Sequence, residues 1–232
     1  MSKIVFITGG NKGLGYETAR RLIEIGHNVY IGSRNKKLGE AAARELGAKL
    51  IVIDVTDEDS VKEAVQSIMS KEKCIDILIN NAGISGVNKR PEDITGNDME
   101  KVFDTNVLGV IRVTNAFIPL LRKSDNPVIV NVSSGLGSFG TVTDSNTDES
   151  KINSLTYCSA KAAVSMLTVQ YAKGLPDMKV NCADPGATAT DLNGGRGKQT
   201  VQEGTDAIIK LATVDKDGPT GTFISRFGNM PW

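Results

Sequence analysis

The chain has 232 residues, with 27 Lys plus Arg balanced by 27 Asp plus Glu, one histidine and three cysteines. Balanced charge without a basic block points away from nucleic acid and from an anionic membrane surface, and no apolar run is long enough to span a bilayer. Three cysteines without metal-ligand spacing argue against a disulfide framework or a zinc site, so no metal is expected.

Small-molecule chemistry in one α/β domain over 1–232 remains. The first strand-like run follows Met1-Ser2-Lys3 directly, so no signal peptide is expected and a cytoplasmic location is. Short β-branched runs alternate with longer segments of helical period. This is the pattern of a Rossmann-type, doubly wound, mostly parallel sheet, here of seven strands, with helices on both faces. The first strand, near 3–8, runs into Thr8-Gly9-Gly10-Asn11-Lys12-Gly13-Leu14-Gly15, and a helix over 14–25 opens at once. Glycines permit a tight turn and close approach of backbone to a pyrophosphate, and the helix N-terminus attracts the anion. The spacing Gly-x-x-x-Gly-x-Gly departs from G-x-G-x-x-G, so the strand, turn and helix context carries the reading against a plain turn. His27, in Gly26-His27-Asn28, belongs to a surface turn.

The second strand, 28–32, ends in Ser33-Arg34-Asn35, with no acid where an NAD-preferring unit places a carboxylate on the ribose 2′-hydroxyl. Arg34, helped by Lys12 and Ser33, suits a 2′-phosphate instead, which favours NADP; the plain alternative is a surface arginine. A helix over 36–46 and a strand over 49–53 lead to Asp54-Val55. A helix over 57–70 and a strand over 76–80 lead to Asn80-Asn81-Ala82-Gly83. One long helix over 97–122 carries Asn106, and a strand over 127–132 is followed by Ser133-Ser134. The polar stretch Ser138 to Ser154 then breaks the rhythm. On the helix over 155–174, Tyr157 and Lys161 stand one turn apart on one face, which sets an ammonium beside a phenol and is expected to lower the phenol's pKa toward neutrality. Alone, that spacing is common on solvated helices. A strand over 178–183 leads to Asp184-Pro185-Gly186-Ala187-Thr188-Ala189-Thr190. The Gly-rich stretch Asn193 to Gly197, a helix over 200–212 and a strand over 222–225 complete the chain. The segments near 135–154 and 191–200 read as substrate loops, or as solvated excursions.

Taken in this order, the motifs resemble the short-chain dehydrogenase/reductase family across essentially the whole chain. Arg34 and the ending Phe223 to Trp232 look most like its NADPH-dependent carbonyl reductase branch. The resemblance implies NADP(H) held by Gly9, Asn11, Lys12, Gly13, Leu14 and Gly15 of the turn, by Ser33, Arg34 and Asn35, and by Asp54 and Val55 at the adenine. It further implies contacts from Asn81, Ala82 and Gly83, from Tyr157 and Lys161, and from Pro185, Gly186, Thr188 and Thr190, the last holding the nicotinamide carboxamide. Four catalytic residues are implied: Tyr157 donating a proton to a carbonyl oxygen, Ser134 stabilising that oxygen, Lys161 lowering the Tyr157 pKa and binding the nicotinamide ribose, and Asn106 helping to hold a water that connects Lys161 to solvent.

The expected activity is reduction of a small aldehyde or ketone to an alcohol, with the reverse oxidation available. A non-catalytic NADP(H)-binding sensor of the same fold is the alternative. A nucleotide-sugar epimerase would need a longer C-terminal part than follows Thr190. Between Ser134 and Tyr157 lie 22 residues, longer than in compact members of the family. They are expected to cover the outer face of the 155–174 helix, which favours a monomer, with a dimer as runner-up. The short segment after Thr190 suggests a small lid and an open pocket.

Overall fold

Strands rich in Ile and Val, apolar without alternation, demand cover on both faces, and the computed structural model, which describes residues 2–232, provides it. Seven strands run parallel: β1 (Ile4–Ile7), β2 (Asn28–Ser33), β3 (Lys49–Val52), β4 (Ile77–Asn80), β5 (Val128–Val132), β6 (Lys179–Ala183) and β7 (Phe223–Ser225). An eighth, β8 (Gly228–Asn229), returns antiparallel on β7 with Ser225 opposite Gly228. The order is β3-β2-β1-β4-β5-β6-β7-β8. Successive strands therefore build outward in opposite directions from β1 and β4, and the crevice beyond the C-terminal ends of these two is where such sheets bind ligands.

On one face α1 (Gly13–Glu24), α2 (Lys36–Leu46) and α9 (Asp206–Ala212) bury Leu22, Ala42 and Ile208 against Val5, Ile31 and Val130. On the other, α3 (Glu58–Met69), α5 (Gly109–Leu121) and α7 (Leu155–Gly174) cover Phe6, Leu78 and Ile129, with Phe6 and Phe117 stacked 4.8 Å apart. Among the described residues no helix is long and apolar enough to cross a membrane.

Three differences from the sequence expectations have local causes. The sheet has eight strands because the two-residue β8 is too short to show a period. The helix expected over 97–122 is three pieces, α4 (Gly96–Phe103), a π-turn (Asp104–Leu108) and α5, the turn being occupied by Asn106, whose side chain bonds outside its own helix. The helix expected over 200–212 divides at Thr205 into α8 (Val201–Gly204) and α9, with the Thr205 hydroxyl donating to Gln202 O at 2.8 Å and accepting from Arg21 at 2.8 Å. The polar stretch before α7 holds the short α6 (Phe139–Val142) and a 3₁₀ turn (Glu149–Lys151).

Candidate active site

The crevice is stapled across its two central strands. The Thr8 hydroxyl at the end of β1 accepts the backbone N–H groups of Asn81 and Ala82, both at 3.0 Å, and Asn81 Nδ2 returns to the carbonyls of Thr8 (2.9 Å) and Gly9 (3.1 Å). Gly9 and Gly13 take φ of 64° and 55°, in the left-handed region that favours glycine. A Cβ on Gly15 would meet the Gly9 carbonyl and the Asn81 amide, so the start of α1 comes as close as backbone allows.

Above the turn opens a cleft of about 650 Å³. Its walls come from Gly9, Asn11, Lys12, Gly13 and Leu14; from Ser33 and Arg34 after β2; from Asp54 and Val55 after β3; from Asn81, Ala82 and Gly83 after β4; and from Thr190. Arg34 is exposed at the rim, close enough to Asp54 to help hold its carboxyl below the usual range, a shift led by the Thr56 N–H bond. Lys12 reaches across to Asp191 at 3.0 Å, so the loop after Thr190 is tied to the glycine turn. Not every expected residue lines this cleft. Asn35 caps α2 by accepting from Leu38 N at 3.0 Å, Gly15 packs beneath the turn, and Thr188 is buried with its hydroxyl on Pro185 O at 2.8 Å.

At the other end, α7 presents Tyr157 and Lys161. Lys161 is buried, its Nζ donates to Val132 O at 2.7 Å and lies 5.6 Å from the centre of the Tyr157 ring. Burial lowers its ammonium to about 8, against the pull of Cys182 and Asp184. The Tyr157 hydroxyl lies against that of Ser134, and its pKa is pushed up by burial first and by the Asp184 carboxylate second. The shift is thus upward, opposite to the direction expected from Lys161, because loss of solvent dominates it; the bond to Ser134 acts the other way.

Ser134 opens a 3₁₀ turn (Gly135–Gly137), accepting from Leu136 N at 3.2 Å, whereas Ser133 points inward to Lys161 O (3.0 Å) and Ser165 (3.1 Å). The two adjacent serines thus have opposite duties. Asn106 Oδ1 accepts Ile84 N at 2.8 Å and its Nδ2 donates to Ile84 O at 2.9 Å, which fixes the loop after β4 against the π-turn.

A family model described as short chain dehydrogenase matches residues 3–200. The chain belongs to the short-chain dehydrogenase family. Among relatives, the short-chain dehydrogenase anuI of Penicillium roqueforti is 36% identical over 223 residues, covering 90% of this chain and 88% of that protein. (+)-Neomenthol dehydrogenase of Capsicum annuum is 30% identical, covering 97% and 96%, over an alignment of 302 positions. That alignment is longer than this chain, so the pepper enzyme carries inserted segments that this short-chain dehydrogenase lacks. Among solved structures, the NADPH-bound carbonyl reductase from chicken fatty liver superposes with a TM-score of 0.86 at 26% identity, covering 100% of this chain and 99% of that one.

In this short-chain dehydrogenase the cleft also uses residues that sequence reasoning did not single out: Ile84 and Ser85, directly after Asn81-Ala82-Gly83, and Asp191, Leu192 and Val201 after Thr190. Ile84 and Ser85 follow their motif directly and Asp191 and Leu192 open the 191–200 segment already read as a substrate loop, whereas Val201 lies eleven positions past Thr190 with no motif beside it. Asp184, an acid at the end of β6, was visible in the sequence as the residue before Pro185.

Proposed function

We propose that this short-chain dehydrogenase reduces a small aldehyde or ketone to the alcohol with NADPH. The observation that carries the proposal is the placement of the Tyr157 and Ser134 hydroxyls together, one helical turn from a buried Lys161, beyond a glycine-turn cleft whose far rim offers Arg34 and Lys12. The fit to a phosphate-bearing dinucleotide rests on the glycine turn, whose Gly9 and Gly13 take positive φ at the start of α1, and on Arg34 after β2 with no acid beside it in that turn, with Lys12 close by on its bridge to Asp191. Bound NADPH supplies a hydride to the carbonyl carbon.

Tyr157 gives its phenolic proton to the carbonyl oxygen as charge grows there, and Ser134 donates a second hydrogen bond to the same oxygen. A phenol kept protonated by burial suits this direction of reaction. Lys161, buried yet cationic below about 8, stabilises the phenolate left behind. The presence of Asn106, Ser134, Tyr157 and Lys161 together counts against a non-catalytic sensor. All three cysteines are free, which fits a reducing, cytoplasmic setting. The test is loss of reduced-nicotinamide absorbance against a panel of aldehydes, ketones and diketones. Turnover with NADPH above that with NADH is expected, and cofactor binding without turnover on any carbonyl would reject the proposal.

A further inference from the structure

Asp184 closes β6 and is 5% exposed. Its Oδ1 accepts two backbone N–H groups, from Gly135 and from Gly186, both at 2.9 Å. Gly135 follows Ser134, and Gly186 takes φ 65° in the loop that leads to Thr190. One carboxylate oxygen therefore joins two loops that belong to different strands. The anchor is itself fixed, because Asp184 N donates to Ile224 O at 2.8 Å and continues the β6–β7 ladder. The second oxygen, Oδ2, lies 3.5 Å from where a Cβ on Gly135 would sit, an ordinary van der Waals distance, so the loop packs directly against the carboxylate.

We propose that Asp184 is a positioning residue of the reductase, clamping the Ser134 loop to the Pro185-Gly186 loop and setting one fixed negative charge beside the Tyr157 and Lys161 pair. This rests on the reductase reading above. Hydrogen bonds to an ionised acceptor are about twice as strong as neutral ones, so a carboxylate clamps better than an amide or hydroxyl would. The charge has a second consequence. It disfavours the Tyr157 phenolate and favours the Lys161 ammonium, so both groups hold their protons to higher pH than they would without it. Around Asp184 itself stand Glu149, from the segment before α7, and Lys161; Cys182 faces Lys161, and Cys158 neighbours Tyr157. Burial and Glu149 raise the Asp184 carboxyl, while the two N–H bonds and Lys161 act against them.

Two variants separate the clamp from the charge. Asp184→Asn keeps an oxygen for both N–H groups and removes the charge. Asp184→Ala removes both. The Tyr157 titration is read without turnover, as the phenolate absorbance of each enzyme minus that of its Tyr157→Phe form, and kcat/KM for reduction is followed over the same pH range. Asp184→Asn should bind NADPH as wild type does, yet move the Tyr157 titration and the alkaline limb of reduction together to lower pH. Asp184→Ala should lose roughly 100-fold in kcat/KM at every pH, the order of loss that a misplaced reacting group produces. A Tyr157 titration unchanged in Asp184→Asn would overturn the charge role, and wild-type kcat/KM in Asp184→Ala would overturn the clamp. Should Asp184→Ala fail to fold, the Asp184→Asn titration still decides the charge role, and Asp184→Ser then replaces it for the clamp. A wild-type enzyme inactive on every carbonyl, with the titration shift intact, would fail the reductase reading and leave the charge role standing.

Discussion

At the residue scale the site is built on a costly group. The unfolded chain keeps Lys161 protonated up to about 10.5, the folded chain only up to about 8. Between these values the unfolded state holds more protons, so stability rises with pH, and the penalty is complete below about 8. A difference of this size is on the order of 3 kcal/mol, offset in part by the bond to Val132 O. Lys161→Met should therefore melt above wild type near pH 7, with the gap closing toward pH 10, while turnover is lost. Equal melting across that range would show that burying the ammonium costs nothing. Tyr157→Phe should behave differently, keeping NADPH affinity while losing about 100- to 10,000-fold in kcat, because the hydroxyl acts only as the oxygen gains charge. Retention of more than about a tenth of wild-type kcat would place the acid elsewhere. The spacing of Tyr157 and Lys161 was legible in the sequence, but the direction of the phenol's shift was not. Spacing brings two side chains together; burial, which decides the shift, depends on β5, the loop after β6 and the rest of α7 closing around them.

At the scale of elements, the glycine turn and the β2–α2 junction set what the cleft binds. Gly15→Ala would push a Cβ into the Gly9 carbonyl and the Asn81 amide, two groups already bonded to each other. Neither is a flexible chain end, so overpacking should cost about 1–3 kcal/mol, read as a lower melting temperature together with weaker NADPH binding. Arg34→Asp acts on the other side of the cleft. It removes a partner for the 2′-phosphate and supplies the carboxylate that a free ribose hydroxyl prefers, so kcat/KM with NADPH should fall roughly tenfold to a hundredfold while that with NADH rises. No loss with NADPH would withdraw Arg34 from the cofactor site. Lys12 already answers Asp191, so its removal should loosen the loop after Thr190 as well as the phosphate contact. The strands, the glycine turn and the end of β2 could be read from sequence because each is specified by neighbouring residues. The break in the 97–122 helix could not, because the bonds that mark it run from Asn106 to Ile84, a loop reached only through the fold.

At the scale of the molecule, the expected reason for a monomer does not hold, yet another replaces it. The Ser138 to Ser154 segment does not spend its hydrogen bonds on the outer face of α7. Ser138 Oγ donates to Pro231 O at 2.7 Å, Gly140 N donates to Trp232 O at 2.9 Å, and Asp148 pairs with Lys198 of the loop after Thr190. The segment thus ties the C-terminal tail to the substrate side and leaves α7 free, with Met166 exposed on it. The tail in turn seals the sheet. β8 pairs with the outer edge of β7, Trp232 stacks on Phe223 at 5.4 Å, and Arg226 holds the hairpin to Glu203 at 2.7 Å and to Asp206 at 3.5 Å. A tetramer of dihedral symmetry needs two different two-fold faces. With the β7 edge capped by β8, one edge is withdrawn as a two-fold face, so light scattering at micromolar concentration should find a monomer, or at most a dimer. Removing Asn229 to Trp232 should uncover Phe223 and the unpaired groups of β7, lowering the melting temperature and promoting association, as open sheet edges do. A stable tetramer of the intact chain, or a truncated chain that stays as dispersed and as stable as the parent, would show that the tail does not guard this edge.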